Sequence, residues 1–151
     1  MRRGVTAAQV REAVALCRAN GIQTGMFLMF GYEGEELSDI EETIAHVKAC
    51  LPDVFFTTVS YPVKGTPYYK QVQDRLVQLR PWNQTSDRDL MIRGRHSRQF
   101  YAHADKLLRN EVELARLASN PASDSKVLTD LRTEIQMHRA NLLSTYAEVE
   151  A

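Results

Sequence analysis

Two apolar segments constrain most strongly how this chain can fold. Residues 26–30 are apolar at every position, and residues 54–59 are rich in β-branched and aromatic side chains. A strand with one solvated face alternates apolar and polar residues, whereas a continuous apolar run indicates a strand buried on both faces, as in a parallel sheet. The two strand-loop units repeat with a period of about 32 residues, the length of a βα unit. We therefore predict parallel strands at 22–30 and 54–59, each buried on both faces.

Signals for helices surround both strands. Thr6 with Gln9 has the spacing of a capping box, so a first helix should begin after Thr6 and end at Gly21, which tolerates the left-handed conformation of a helix end. Ser38 with Glu41 predicts the capping box of a second helix. The apolar stripe expected on that helix consists of Ile40, Ile44 and Val47. The alternation of helices and strands predicts a parallel sheet with right-handed crossovers.

Composition changes near residue 80 and divides the chain. Residues 1–80 form the α/β part, residues 81–97 form a connector with a possible short strand and turn, and residues 98–151 are helical. Two parallel strands that are apolar on both faces do not make a finished sheet, because their outer edges expose unpaired backbone groups. We therefore expect an upstream segment or a partner chain to complete the sheet.

The helices of the second half are predicted from apolar spacing. A short third helix at 68–76 has Pro67 in its first turn, and a final helix should run from about residue 124 to residue 149. Apolar residues recur at helical spacing on both sides of the break at 120–121, which predicts an antiparallel hairpin. The two seams are Phe100, Ala104, Leu107, Leu108, Leu114 and Ala115, and then Leu128, Leu131, Ile135, His138, Leu142 and Val149.

Charge and cysteine content exclude several classes of protein. The chain has 19 basic and 19 acidic residues, and this balance disfavours a general nucleic-acid binder, which would carry a basic excess. No apolar run is long enough to span a bilayer, and the N-terminus lacks the apolar core of a secretory signal. The two cysteines, Cys17 and Cys50, do not make a disulfide scaffold. We expect a cytoplasmic protein with no membrane span.

An acidic, glycine-containing turn follows the first strand. Ligands of parallel sheets bind at the carboxyl ends of the strands. Gly31 and Gly34 would let backbone approach a ligand closely, and Glu33, Glu35 and the next acid could meet a ribose, an ammonium group or a metal. The alternative is a simple βα turn whose acids favour the N-terminus of the next helix.

A second loop, at 60–67, follows the second strand and should lie on the same rim. Ser60 and Tyr61 begin it, and Lys64 is its cation. The alternative is a Pro-Gly turn that Tyr61 and Tyr68 pack against. The basic, aromatic stretch at 88–101 could touch RNA or an anionic substrate, but a connector that is solvated or bridges acids of the sheet is the favoured interpretation. The two cysteines are predicted to be structural thiols. The histidines do not have the spacing of a metal site; they are His46, His96, His103 and His138.

These residues carry a resemblance to a known family. Residues 21–35, GIQTGMFLMFGYEGE, with DIEETI at 39–44, resemble the late part of a radical S-adenosylmethionine domain. The strand at 54–59 and the loop PVKGTP at 62–67 are similar to the family's last barrel strand and its Pro-x-x-Gly-Thr-Pro loop. The similarity is greatest to the subgroup with an N-terminal cobalamin-binding domain, which includes relatives of the anaerobic magnesium-protoporphyrin monomethyl ester cyclases. It covers about residues 3–76.

The resemblance implies an α/β fold, in which residues 1–80 are the last two βα units of a partial TIM-like (β/α)6 barrel and a C-terminal α-helical hairpin follows. It also implies that this segment lines part of a pocket for S-adenosylmethionine and a small-molecule substrate, in a methyl-transfer or oxidative-cyclisation type of radical reaction. The implied binding residues are Phe30, Gly31, Glu33, Gly34, Glu35, Ser60, Tyr61 and Lys64.

The chain departs from the family at its metal centre. The CxxxCxxC motif that holds the [4Fe-4S] cluster is absent, and so is the cobalamin domain. The cluster, and cobalamin if it is used, would therefore belong to an upstream barrel segment or a partner chain, and this chain would be inactive alone. Two alternatives remain open. One is a non-enzymatic helical interaction module, and the other is a different (β/α) barrel enzyme with Glu33 or Glu35 as base and Lys64 as electrophile.

Overall fold

A computed structural model describes residues 4–78, 90–120 and 122–150. Helix α1 (Ala7–Ala19), strand β1 (Gly25–Phe30), helix α2 (Leu37–Cys50) and strand β2 (Val54–Val59) alternate in the predicted order. The two strands pair in parallel, with Gly25 opposite Val54 and Phe30 opposite Val59. The chain therefore has a mixed α/β fold. The predicted boundary near residue 80 and the proline of the 120–121 break lie outside the described residues.

The start of α1 is as predicted, and the start of α2 is not. Thr6 and Gln9 form the reciprocal capping box, with the Thr6 backbone N–H donating to Gln9 Oε1 at 2.8 Å. Ser38 lies inside α2, and the residue that precedes the helix is Glu36, whose backbone N–H donates to Asp39 Oδ2 at 2.8 Å. The Ser38–Glu41 box is therefore wrong. The negative charges of Glu36 and Asp39 interact favourably with the positive end of the helix dipole, which favours a start at Leu37 over a start after Ser38.

The prediction that both strands are buried on two faces is wrong. One face of the sheet contributes Met26 and Phe30 to the core, where they join the α2 stripe of Ile40, Ile44 and Val47. On the opposite face, Phe27 and Phe56 stack with ring centroids 5.4 Å apart and are 84% and 56% exposed. No described element covers these rings. The apolar residues of the two strands therefore form one face that is packed in the core and one face that is uncovered.

A short antiparallel pair follows the parallel sheet. Thr66 caps helix α3 (Pro67–Val72), which ends sooner than predicted and passes through a 3-10 turn at Gln73–Arg75 into strand β3 (Leu76–Gln78). Strand β3 pairs antiparallel with strand β4 (Leu90–Ile92). The possible short strand predicted in the 81–97 connector is therefore confirmed as β4, whereas the 3-10 turn replaces the last turn of the predicted third helix and β3 begins at its final residue, Leu76.

The predicted helical hairpin is confirmed. Helix α4 (Arg98–Ala118) and helix α5 (Ser125–Thr145) begin at the caps Ser97 and Asp124. Contacts run antiparallel along them: Ser97 reaches Glu148, His103 reaches His138, and Asn110 reaches Glu134. The buried seam consists of Phe100, Ala104, Leu107, Leu108, Ile135, His138 and Leu142. Val149 does not belong to it, because α5 ends at Thr145 and Val149 instead forms a β-bridge with His96.

Glu111 of α4 ties the hairpin to the α/β part. Its carboxylate is mostly buried and accepts from Lys48 Nζ of α2 at 2.6 Å and from Arg139 Nη2 of α5 at 2.9 Å. Arg139 also pairs with Glu41 of α2. Burial opposes ionisation of Glu111, but the hydrogen bonds from Lys48 and Arg139 outweigh it and hold its pKa below the usual value.

We expect Glu111→Gln to lower the free energy of unfolding by about 1–2 kcal/mol at neutral pH, because two partly buried charge-assisted hydrogen bonds are weakened and solvent screens their exposed basic partners. The depressed pKa gives stability that is present at neutral pH and lost as pH falls through the folded-state pKa. The deficit of the variant should therefore shrink in acid. Urea denaturation measures it, and Glu113→Gln on the exposed side of α4 is the matched control. Equal losses for the two variants would contradict the role of Glu111.

Candidate functional site

The carboxyl ends of β1 and β2 bring the two predicted loops together. The Ser60 backbone N–H donates to the Phe30 carbonyl at 2.7 Å, so the strand pairing continues one residue past β2. Gly31 follows with φ of +73°, and the chain turns there towards α2. Phe30, Gly31 and Ser60 are all buried. The topology therefore places these three predicted residues in one site.

Glu35 folds back onto this strand end. It is 7% exposed, and its Oε2 accepts from the Gly31 backbone N–H at 2.7 Å. Burial raises its pKa to about 7 and the Asp39 carboxylate adds to the rise, while the Gly31 hydrogen bond and the Arg95 charge act in the opposite direction. Glu35 is therefore a carboxyl group that can take up or release a proton near neutrality.

Glu33 and Gly34 take other roles in the same turn. Glu33 lies at the surface, where its carboxylate accepts from Arg75 Nη2 of the 3-10 turn at 2.8 Å. Gly34 is exposed and has φ of +79°, so it shapes the turn through its backbone. Of the two glutamates that the sequence offered as a base, the structure places only Glu35 against the strand end.

Arg95 and Tyr101 complete the site, and sequence reasoning did not single them out. Arg95 Nη1 donates to the Ser60 carbonyl at 2.5 Å, and its guanidinium lies 5.7 Å from the centre of the Tyr101 ring. Tyr101 is buried beside Gly31, and burial, followed by the nearby Glu35 charge, raises its pKa. The available signal was the basic, aromatic stretch at 88–101, although Arg95 contacts the Ser60 carbonyl and no acid of the sheet. We call Phe30, Gly31, Glu35, Ser60, Arg95 and Tyr101 the strand-end site.

Tyr61 and Lys64 of the second loop are separated. Half-buried Tyr61 lines the cleft described next, whereas Lys64 is exposed and is not among the residues that line it. The loop is closed by Thr66, whose hydroxyl donates to the Val63 carbonyl at 2.7 Å. The structure therefore brings Ser60 and Tyr61 to the cleft but not Lys64.

A cleft of about 810 Å³ is lined by residues of β1 and β2, of the segment at 95–98 and of the first turns of α4. Phe27, Phe56 and Tyr101 supply its aromatic surface, and Ser60, Arg95 and His96 supply polar groups. Its volume lies within the range of small-molecule sites. Buried polar atoms without a partner in the described part of the chain occur at Arg95 Nε and His96 Nδ1, and also at Tyr68 Oη.

The described residues do not fit an iron-sulfur cluster. Cys17 is half-buried on α1 and Cys50 is buried on α2, and both are free thiols. Within residues 4–78, 90–120 and 122–150, no three His, Cys, Asp or Glu side chains come together as a metal site. Burial raises the pKa of the Cys50 thiol, and the charges of Arg11 and Arg18 oppose the rise.

Comparison with known proteins gives no family for the chain. No protein-family model matches it, and no curated protein matches its sequence. Among the described helices, none combines the length and the hydropathy that a membrane crossing requires. Function is therefore inferred from the strand-end site and the cleft.

The raised pKa of Glu35 has a consequence for stability. The unfolded chain releases this proton near pH 4.5 and the folded chain near pH 7, so stability should fall as pH rises between these values. We expect Glu35→Gln to remove this slope and to be the more stable protein above pH 7. Urea denaturation from about pH 5 to about pH 8 tests this. Glu33→Gln should keep the slope, and a slope that persists in Glu35→Gln would contradict the assignment.

Proposed function

We propose that this chain is the C-terminal part of a radical S-adenosylmethionine enzyme. In this proposal residues 4–76 are the last two βα units of a TIM-like (β/α)6 barrel. The observation that carries the proposal is the joint position of the two family-like loops: Gly31 and Ser60 lie side by side at the ends of two parallel strands. The resemblance requires this juxtaposition, because both loops would contact one cofactor.

The uncovered sheet face supports the same proposal. Phe27 and Phe56 form an exposed aromatic pair on a two-stranded parallel sheet. Parallel sheets occur almost only with both faces covered, so this face suits burial inside a larger barrel. The cluster ligands would come from the part of the protein, or the partner chain, that covers it, since the described residues here do not fit the cluster.

S-adenosylmethionine fits the strand-end site in chemical terms. Ser60 and Tyr61, which line the cleft at the end of β2, suit an adenosine group, and Arg95 suits a carboxylate. Glu35 is buried and does not line the cleft, so in this proposal it holds the Gly31 turn and does not contact the ammonium group. Bound S-adenosylmethionine would supply the radical chemistry of the family, and this chain's residues would bind and orient it. Cobalamin remains a proposal that only the resemblance supports.

The test begins with the DNA upstream of the Met1 codon. An in-frame segment, or a neighbouring gene, that encodes CxxxCxxC should be joined to or co-expressed with this chain, and the cluster reconstituted anaerobically. We expect cleavage of S-adenosylmethionine to 5′-deoxyadenosine by the assembled protein only. Phe27→Asp should prevent assembly, while Leu16→Asp on exposed α1 should not. A folded, cluster-loaded assembly that releases no 5′-deoxyadenosine would overturn the proposal.

The exposed Phe27–Phe56 pair also favours a second candidate, a non-enzymatic interaction module. Such a module would bind a partner chain through the sheet face and would not need the strand-end site. The same experiment separates the two functions. A stable 1:1 complex that depends on Phe27, but has no affinity for S-adenosylmethionine, would favour the interaction module.

A further inference from the structure

Glu150 holds the backbone on both sides of Arg95. The Glu150 carbonyl accepts from the Gly94 backbone N–H at 2.9 Å, and the Glu150 backbone N–H donates to the Arg95 carbonyl at 2.8 Å. The side chain of Glu150 reaches the same segment, because its Oε1 accepts from the Arg98 backbone N–H at 3.0 Å. Three hydrogen bonds of one residue therefore enclose Arg95 between Gly94 and Arg98.

The residues before Glu150 also lie along the segment that carries Arg95. His96 and Val149 form an antiparallel β-bridge, and the Ser97 backbone N–H donates to the Glu148 carbonyl at 3.0 Å. The ring of Tyr146, the residue that follows α5, lies 4.9 Å from the ring of His96. Contacts of residues 146–150 therefore continue from the end of α5 to both neighbours of Arg95.

The turn after β4 alone gives the Arg95 backbone a weaker support. Strand β4 ends at Ile92, and Gly94 in the turn has φ of +81°. The Arg95 backbone N–H donates to the Ile92 carbonyl at 3.3 Å, which is longer than the usual N–H···O distance. A side chain keeps a defined position only where the contacts around it hold it. The two backbone hydrogen bonds of Glu150 supply a second and shorter set of contacts.

The Arg95 side chain crosses from this segment to the end of the parallel sheet. Its Nη1 donates to the Ser60 carbonyl at 2.5 Å, and the Ser60 backbone N–H donates to the Phe30 carbonyl at 2.7 Å. Glu35 accepts from the next backbone N–H along β1, that of Gly31. The positive charge of Arg95 lies close enough to act on Glu35, where it opposes the rise in pKa that burial causes.

We propose that Glu150 is a positioning residue, which fixes Arg95 at the carboxyl end of β2 through its backbone hydrogen bonds to Gly94 and Arg95. The inference rests on the proposed function in one respect, since that function gives Arg95 the carboxylate of S-adenosylmethionine to bind. Its test uses this chain alone, without a cluster. Failure of the test would therefore not be confused with absence of S-adenosylmethionine cleavage by the assembled protein.

The test uses the Glu35 carboxyl group as a reporter of the Arg95 charge. Carbon-13 NMR of the labelled chain follows its titration, and the signal is identified by its absence in Glu35→Gln. Glu150→Pro removes the N–H that binds the Arg95 carbonyl. We expect the proton affinity of Glu35 to rise about threefold in this variant, because a nearby positive charge moves away. Arg95→Gln should raise it similarly, whereas a mere loss of stability would leave the titration of the folded chain unchanged.

Val149→Pro is the matched control. The hydrogen bonds of the bridge come from the residues on either side of His96 and Val149, so the Val149 N–H makes none of them, and this variant should titrate as the original chain does. If Glu150→Pro fails to fold, deletion of residues 150–151 replaces it, since α5 ends before them. The proposal would be overturned by an unchanged Glu35 titration in Glu150→Pro, in the deletion variant or in Arg95→Gln, or by an equal rise in Val149→Pro.

Discussion

Gly31→Ala is expected to lower the free energy of unfolding by about 2–5 kcal/mol. The backbone contributes first, since φ of +73° is a left-handed conformation that costs an L-residue about 1–2 kcal/mol. Contact contributes second, since an added Cβ would lie 2.8 Å from Val59 Cγ1 and 3.3 Å from the Tyr101 hydroxyl. Overpacking of this kind costs about 1–3 kcal/mol. The Val59 methyl has little room to yield, because its side chain is short, β-branched and part of a paired strand.

Gly34→Ala in the same turn is the matched control. Its φ is +79°, and no atom lies within 4 Å of the position a Cβ would take. It should therefore lose only the backbone part, about 1–2 kcal/mol. Urea denaturation of both variants isolates the contact of Gly31 with Val59 and Tyr101. Equal losses would show that the strand end is looser than its interatomic distances indicate.

The strands were predictable because their signals are local. Continuous apolar runs, glycine-containing turns and the βα period all act over a few residues or one repeat, and they gave β1, β2 and their parallel pairing. The exposure of Phe27 and Phe56 was not predictable from the same pattern. An apolar pattern indicates that a sheet face can be buried. It does not indicate whether the element that buries the face lies among the described residues.

Elements that depend on distant pairing were harder to predict. The third helix was predicted to run to residue 76, but Leu76 pairs with Ile92 and begins β3. The hairpin was predictable because α4 and α5 are neighbours in the chain and their seams are long. Its docking through Glu111 onto Lys48 was not, because the two residues are 63 apart in sequence and charged residues on a helix usually face solvent.

The residues of the strand-end site likewise differ in how far the sequence could predict them. Gly31 and Ser60 follow from a topological rule, since ends of parallel strands meet. The rule does not say which of Glu33 and Glu35 turns inward, because both acids lie in one turn and only the backbone path separates them. Arg95 and Tyr101 come from a later segment, so no local spacing relates them to Glu35.

Leu142→Ala should be the other strongly destabilising change, with a loss of about 2–5 kcal/mol. Leu142 is fully buried on α5, in the cluster that includes Phe100, Leu107 and Leu108 of α4. Alanine removes apolar surface from the core and leaves a cavity that the paired helices cannot close without moving apart. The loss should appear in the midpoint of urea unfolding with little change in its slope.

Leu143→Ala supplies the control one residue away. Leu143 is 57% exposed on the same helix, so this variant has the same change in helix propensity but removes little buried surface. Its effect should stay within about 0.5 kcal/mol. The difference between the two variants therefore measures burial at the α4–α5 seam alone. If both variants lost the same stability, the seam would not face α4. The core would then be poorly packed as a whole. The exposed sheet face would in that case reflect poor packing and would no longer indicate a missing partner.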